Sequence, residues 1–223
     1  VELLTYRVVA PSTLPLKKIA LKGEIPGTVS FEEAVSDKGD QIIYTWTLRD
    51  VPRMFDEPNM PTRYTVVQRL MVSTMETWEE LSSWYWDLCL PRLDTTPEME
   101  AKAQELVADC TNTLEKVEAV FNFVSQDIRY MGITPEEEAP GYEPHDVTIT
   151  FENRYGVCRD KAALLAAMLR LIDIEAFPVI IMAGPKKDEE VPQPFFNHAV
   201  TAALGDDGEY ILMDSTDENT KDI

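Results

Sequence analysis

Residues 154–172 read Arg154-Tyr155-Gly156-Val157-Cys158-Arg159-Asp160-Lys161-Ala162-Ala163-Leu164-Leu165-Ala166-Ala167-Met168-Leu169-Arg170-Leu171-Ile172. From Ala162 onward the stretch is apolar nearly all round, the pattern of a helix buried on every side. The spacing predicts a helix over 158–172 at the centre of its domain. Gly156 permits a tight turn into it. Cys158 then stands at the helix N-terminus, where the positive end of the backbone dipole and unpaired N–H groups favour a thiolate. Arg159 and Lys161 add positive charge nearby. A lone cysteine at a helix start is more often a small core residue, so a chemical role needs partners elsewhere in the chain.

Toward the C-terminus, Phe177 to Ile181 reads as a fully buried strand within 176–183. Phe195 to Leu204 is a second strand, Gly205-Asp206-Asp207-Gly208 a hairpin turn, and Glu209 to Asp214 a third strand. Centred on Asp206-Asp207, the hairpin sets His198 directly across from Asp214. A His–Asp pair can hold the imidazole in one tautomer while the ring takes a thiol proton. A nucleophile, a base and an orienting acid are thus available in the order Cys158, His198, Asp214.

Toward the N-terminus the period is helical. Trp78, Leu81, Tyr85 and Leu88 share one face, and Pro91 stops that helix. Thr95-Thr96-Pro97-Glu98 is a helix start, and Asn112-Thr113-Leu114-Glu115 is a capping box. The second opens a helix with Val117, Val120, Phe121, Val124 and Ile128 on one side, left at Arg129-Tyr130-Met131. Residues 132–152 show no helical pattern. With Glu136-Glu137-Glu138 and three prolines they read as a long acidic loop. Helices followed by an antiparallel sheet make an α+β pattern.

Residues 1–72 differ. Leu4, Tyr6 and Val8 alternate with polar neighbours, as do Ile42, Tyr44, Trp46 and Leu48. Val29 and Phe31 fit a shorter strand, Ser36 to Asp40 a turn, and Arg63 to Val72 a last strand. Residues 1–70 carry nine basic and nine acidic side chains, so residues 71–223, with 11 and 31, carry the whole net charge of −20. The shift predicts a β-rich module over 1–72 and an α+β domain over 73–223.

That charge argues against a nucleic-acid partner, which needs a basic footprint. No apolar run approaches the length of a membrane span. The chain opens at Val1 with no signal-peptide pattern and reads as a processed chain or a piece of a longer one. Cys89, Cys110 and Cys158 are the three cysteines, with no CxxC pair and only two histidines, so a four-ligand zinc site is not expected. Cys89 and Cys110 can bridge on count alone, and buried thiols are the preferred reading. His145 reads as a surface-loop residue that can reach substrate. Trp78, Trp84 and Trp86 suit core packing better than a carbohydrate platform.

Three blocks together resemble the transglutaminase-like superfamily core: Arg154 to Ala162, then Asn197-His198-Ala199-Val200, then Tyr210-Ile211-Leu212-Met213-Asp214-Ser215-Thr216. The likeness covers about residues 75–220. The preceding β-rich region resembles bacterial proteins in which a domain of unknown function precedes this core. Many bacterial members carry Asp before the cysteine, where this chain has Val157.

The resemblance implies a papain-like fold and a Cys158–His198–Asp214 triad. Cys158 would form a thioester from an amide, resolved by water or by another amine. The Cys158 N–H and a second donor would hold the oxyanion, with Gln126, Tyr130 and Tyr155 as candidates for that donor or for substrate binding. No cofactor and no metal are implied. The implied partner is a peptide or protein, including cell-envelope material, for an exported bacterial protein in the periplasm or outside the cell. The alternative is a non-catalytic module that keeps the fold to bind protein or glycan. A metal site built from Cys158, His198 and Asp214 is the third and weakest reading.

Overall fold

The computed structural model describes residues 1–132, 141–184 and 186–218. The chain forms two compact units, one of Val1–Leu81 with Gly184–Pro194, the other of Ser82–Ala183 with Phe195–Ile223. The sequence places a boundary at 72/73, whereas these units divide at 81/82 and residues 184–194 return to the first.

The first unit holds strands β1 (Leu3–Pro11), β2 (Lys18–Lys22), β3 (Val29–Val35), β4 (Gln41–Arg49) and β5 (Arg69–Ser73). β1, β4 and β3 form an antiparallel sheet with β4 central, and Tyr6, Trp46 and Phe31 lie in one cross-strand row. Ala10, Tyr44 and Trp46 are the buried centre, with Leu16, Leu70 and Val72 packed on them. β2 pairs with β5, and Ala20 and Met71 bury against Val191 of the returning segment. β2 escapes the alternation search because its small residue Ala20 faces inward while Ile19 is 39% exposed. The expected strand over 63–72 is shorter: Arg63–Val66 forms one helical turn, α1, before β5.

In the chain order of the second unit come α2 (Trp78–Cys89, begun in the first unit), α3 (Pro97–Leu106), α4 (Thr113–Asn122), β6 (Arg129–Tyr130), α5 (Val147–Asn153), β7 (Tyr155–Gly156), α6 (Cys158–Arg170), β8 (Ala176–Ile181), β9 (His198–Leu204) and β10 (Tyr210–Met213). The fold is α+β. Every residue of α6 from Asp160 to Leu169 is buried. Leu164, Leu165, Met168 and Leu169 pack with Met99, Val117, Val120, Phe121 and Met213 in one core.

Helix starts follow the capping residues. Thr96 Oγ1 accepts from the Met99 N–H at 3.3 Å, with Pro97 in the first turn. Asn112 Oδ1 accepts from the Glu115 N–H at 2.9 Å, and the Glu115 carboxylate accepts from the Thr111 N–H at 2.6 Å. Asn112→Ala is therefore expected to lower stability by about 1 kcal/mol, measurable by denaturant unfolding.

Two expectations are corrected here. The helix expected to run to Ile128 stays α-helical only to Asn122, and Phe123–Asp127 widens into a π-helical turn. The stretch 132–152, read as loop, contains α5. Its β-branched run Val147-Thr148-Ile149-Thr150 is poor for helix by propensity, but Val147, Thr150 and Phe151 share a buried face that overrides it. The Glu136-Glu137-Glu138 run lies outside the described residues.

The sheet order is β10-β9-β8, antiparallel throughout. Arg170 Nη1 at the end of α6 donates to Ala176 O at the start of β8, and Thr201 Oγ1 in β9 donates to Ala162 O near the start of α6 at 3.0 Å. α6 and β9 therefore run the same way. The N-termini of both and the C-terminus of β10 lie at one end of the unit. Among the described residues no helix is long and apolar enough to cross a membrane.

Candidate functional site

That common end carries Cys158, His198 and Asp214. Cys158 is the first residue of α6 and is half-buried. The entry to α6 is set by Asp160, 2% exposed, whose Oδ2 accepts from the Val157 N–H at 3.1 Å. The N–H of Cys158 finds no acceptor among the described residues, as the first positions of a helix require. Gly156 sits ahead of it for want of space, not for a left-handed backbone. A Cβ there would stand 2.8 Å from Asp160 Cβ and 3.0 Å from Thr150 Cγ2. Gly156→Ala is expected to cost about 1–3 kcal/mol, read as a lowered Tm, because neither neighbour can move without disturbing the α6 entry.

His198 Nε2 and Asp214 Oδ2 are 2.7 Å apart. The register that achieves this differs from the expected one. The β9–β10 ladder aligns Met213 with Thr201, which puts Asp214 level with Val200, two residues along from His198. An even shift keeps both side chains on one face, so the carboxylate meets the ring diagonally. Asp214 Oδ1 takes the Thr216 N–H at 3.0 Å and its hydroxyl at 2.6 Å. Partial burial pushes the Asp214 carboxyl up. The Thr216 hydroxyl, His198 and the Thr216 N–H outweigh that and hold it below the usual carboxylate range.

The remaining sequence candidates separate. Tyr130, in β6, pairs with Gly156 of β7, two residues before Cys158. Burial raises its phenol above the ordinary tyrosine value, and the nearby Cys158 and Asp214 charges add to the rise. Tyr130 therefore lies within the electrostatic reach of Cys158 and Asp214. Gln126 is exposed and donates to Asn122 Oδ1 at 3.2 Å on the outside of its own turn. Tyr155 is 39% exposed on β7. Among the described residues nothing ties Gln126 or Tyr155 to Cys158, His198 or Asp214.

His145 is not a loose loop residue. Its N–H and its Nδ1 both lie 3.0 Å from Asp160 Oδ1. Arg159 Nε donates to Glu143 O at 2.9 Å, and Arg92 reaches Glu143 and Asp146, so segment 142–146 is stitched to the α6 entry. The three tryptophans do not form one platform. The Trp78 indole N–H donates to Asp188 O at 2.8 Å in the first unit, Trp84 meets Tyr142 edge-on, and Trp86 meets Phe177 edge-on.

Lys161, read from sequence as positive charge near Cys158, is committed to other partners, and Tyr85 reads from sequence only as a helix-face residue. Lys161 is fully buried and donates through Nζ to Ser125 O and Ile128 O, carbonyls left open where the π-helical turn becomes β6. Burial lowers its amine to about 8, against the opposing pull of Glu218 and Asp214. A lysine among alanines was legible, but its inward direction depends on the turn it caps. Tyr85, on α2, is 4% exposed and lies within the field of Cys158 and Cys89. Its hydroxyl is pushed well above the ordinary tyrosine range by burial first, then by those two sulfurs. All three cysteines are free thiols, so Cys89 and Cys110 are not bridged. Burial pushes the Cys89 thiol up to about 11, partly opposed by Tyr85. Among the described residues no group of three or more His, Cys, Asp or Glu side chains is placed to hold a metal.

The sequence profile of the transglutaminase-like superfamily matches residues 100–215, the stretch that contains α6, β9 and Asp214. The chain belongs to the transglutaminase-like superfamily. Among solved structures, a candidate protease from Parabacteroides distasonis superposes with a TM-score of 0.69 at 21% identity, over 95% of this chain. This superfamily chain spans 40% of that protein's length. A candidate cysteine protease from Cytophaga hutchinsonii matches at a TM-score of 0.43 and 17% identity, over 95% of this chain and 64% of its own. The periplasmic domain of TgpA from Pseudomonas aeruginosa matches at 0.42 and 16%, over 97% of this chain and 70% of its own. No curated protein matches the chain in sequence.

Proposed function

We propose that the second unit is a cysteine-dependent amidase or peptidase in which Cys158 is the nucleophile, His198 the base and Asp214 its orienter. The observation that carries this reading is the 2.7 Å bond between His198 Nε2 and Asp214, at the same end of the unit as the start of α6. With Nε2–H donated to the carboxylate, Nδ1 is left to take the thiol proton. The Cys158 sulfur adds to the amide carbonyl and its proton passes to Nδ1. The C–N bond then breaks, and the leaving amine takes that proton back. Water, deprotonated by the same nitrogen, cleaves the thioester to the acid and regenerates the thiol. The unpaired Cys158 N–H supplies one oxyanion donor. Membership of the superfamily supports a peptide or protein substrate, with an amine in place of water giving a crosslink. The net charge of −20 favours cationic or neutral substrates over acidic ones. By resemblance to exported bacterial members, we place the protein in the periplasm or outside the cell, acting on cell-envelope material.

The test is alkylation of each cysteine by iodoacetamide against pH, read by peptide mapping. Cys158 should stay fast at pH 6, where ordinary thiols are protonated, and Cys89 should be inert because of its burial and raised thiol. His198→Ala should abolish the fast reaction. A Cys158 that reacts only near pH 8.5 in the parent chain would sink the catalytic reading and leave a binding module.

A further inference from the structure

β6 presents two edges. On the inner one, the Arg129 N–H donates to Arg154 O, just before β7, at 2.8 Å and the Met131 N–H to Gly156 O of β7 at 2.9 Å. Alternation along a strand turns the intervening Tyr130 N–H to the opposite, outer edge. There it donates to Glu218 Oε1 at 2.9 Å, in an exposed position. Glu218 lies four residues beyond Asp214, and the intervening chain is anchored by Thr216 on Asp214 Oδ1. The outer edge of β6 therefore runs past the reactive end of the unit with its one outward donor occupied by a side-chain carboxylate.

A carboxylate oxygen and a peptide carbonyl are interchangeable as acceptors for a strand-edge N–H. Exposed strand edges are where extended chains add by main-chain hydrogen bonding. Beneath the edge, the Lys161 ammonium holds Ser125 O and Ile128 O, which fixes the turn that delivers Tyr130. We propose that the Tyr130 N–H is the main-chain docking donor for an extended peptide substrate, and that Glu218 is a built-in occupant which the substrate's carbonyl must displace. The substrate class is then a peptide of at least two or three residues rather than an isolated small amide. This rests on the reading of Cys158 as nucleophile.

The test compares Glu218→Ala and Glu218→Gln with the parent chain. Cys158 is labelled by pooled N-acetyl-tripeptidyl chloromethyl ketones, by an alkyl chloromethyl ketone of equal length, and by iodoacetamide. Glu218→Ala should raise the ratio of the peptide rate to the iodoacetamide rate about three- to tenfold, the effect of removing one exposed competing hydrogen bond. Glu218→Gln should fall between, because its amide oxygen still accepts but carries no charge. The alkyl reagent should show no such rise. An unchanged ratio, or an equal rise for the alkyl reagent, overturns the proposal. A second readout does not need a reactive thiol. In Cys158→Ala, pooled acetyl-tripeptide amides should shift the Tyr130 amide 15N resonance, and more so once Glu218 is also alanine. No shift in either background overturns docking. A slow iodoacetamide reaction at pH 6 overturns only the nucleophile assignment.

Discussion

His198→Ala is expected to lower amide hydrolysis by about a thousandfold or more, mainly in kcat, with KM little changed. The ring is hydrogen-bonded to Asp214 at the end of the unit where α6 begins with Cys158. In the proposed mechanism its removal leaves the thiol with no acceptor for its proton and the leaving amine with no donor. The docking proposed along β6 does not use the ring, so the loss should fall on the chemical step. Asp214→Asn is expected to cost less, since an asparagine oxygen can still accept from Nε2–H, while the stabilising charge for a protonated ring is gone. Glu218→Ala should raise kcat/KM on a peptide substrate and leave the shape of its pH profile unchanged. A His198→Ala protein that hydrolyses peptides within tenfold of the parent would remove the imidazole from the mechanism.

Lys161→Ala is expected to cost about 3–5 kcal/mol of stability. The substitution empties the space of a fully buried four-carbon stem and orphans Ser125 O and Ile128 O. The effect should vary with pH in a defined direction. Burial lowers the folded amine to about 8 from an ordinary 10.5. Below about pH 8 both folded and unfolded chains carry the proton, and no slope arises from this group. Between about 8 and 10.5 the unfolded chain holds a proton that the folded chain has released. Stability from Lys161 therefore rises with pH across that window. The gap between the parent and Lys161→Ala should widen by roughly 2 kcal/mol from pH 7.5 to pH 10, at about 1.4 kcal/mol per unit. Paired urea titrations at the two pH values measure it. A gap that stays flat or narrows would mean that the amine is not held in a dry environment.

Much of the second unit was legible because its signals are local. The all-round apolar run at Ala162 to Leu169 could only be a buried helix, and the Gly205–Gly208 turn fixed the parity of the strands beside it. Parity, not exact register, is what brings His198 and Asp214 to one face. A two-residue error in the hairpin therefore left the pairing intact. What sequence could not supply depends on distant packing. α5 forms from β-branched residues because Val147, Thr150 and Phe151 have a core to enter. The π-helical turn at Phe123–Asp127 lies within an unbroken helical pattern, and Lys161, over thirty residues later, fills the carbonyls it opens. Gln126 drew attention as a polar residue upstream of the cysteine, yet the same turn carries it outward. Glu218 carried no motif, and its contact with Tyr130 closes over 88 residues.

The return of residues 184–194 to the first unit bears on the order in which this protein can be made. Val191 completes the Ala20 and Met71 cluster, and Lys22 pairs with Asp188 and Glu190. During synthesis all five strands of the first unit are delivered by residue 73, well before the segment that seals it. That segment emerges only after α6 and β8, and just ahead of His198. The N-terminal unit therefore cannot finish first in the usual vectorial order of domain folding. The two units close in the same interval of synthesis, and a fragment ending anywhere before Pro194 leaves both incomplete.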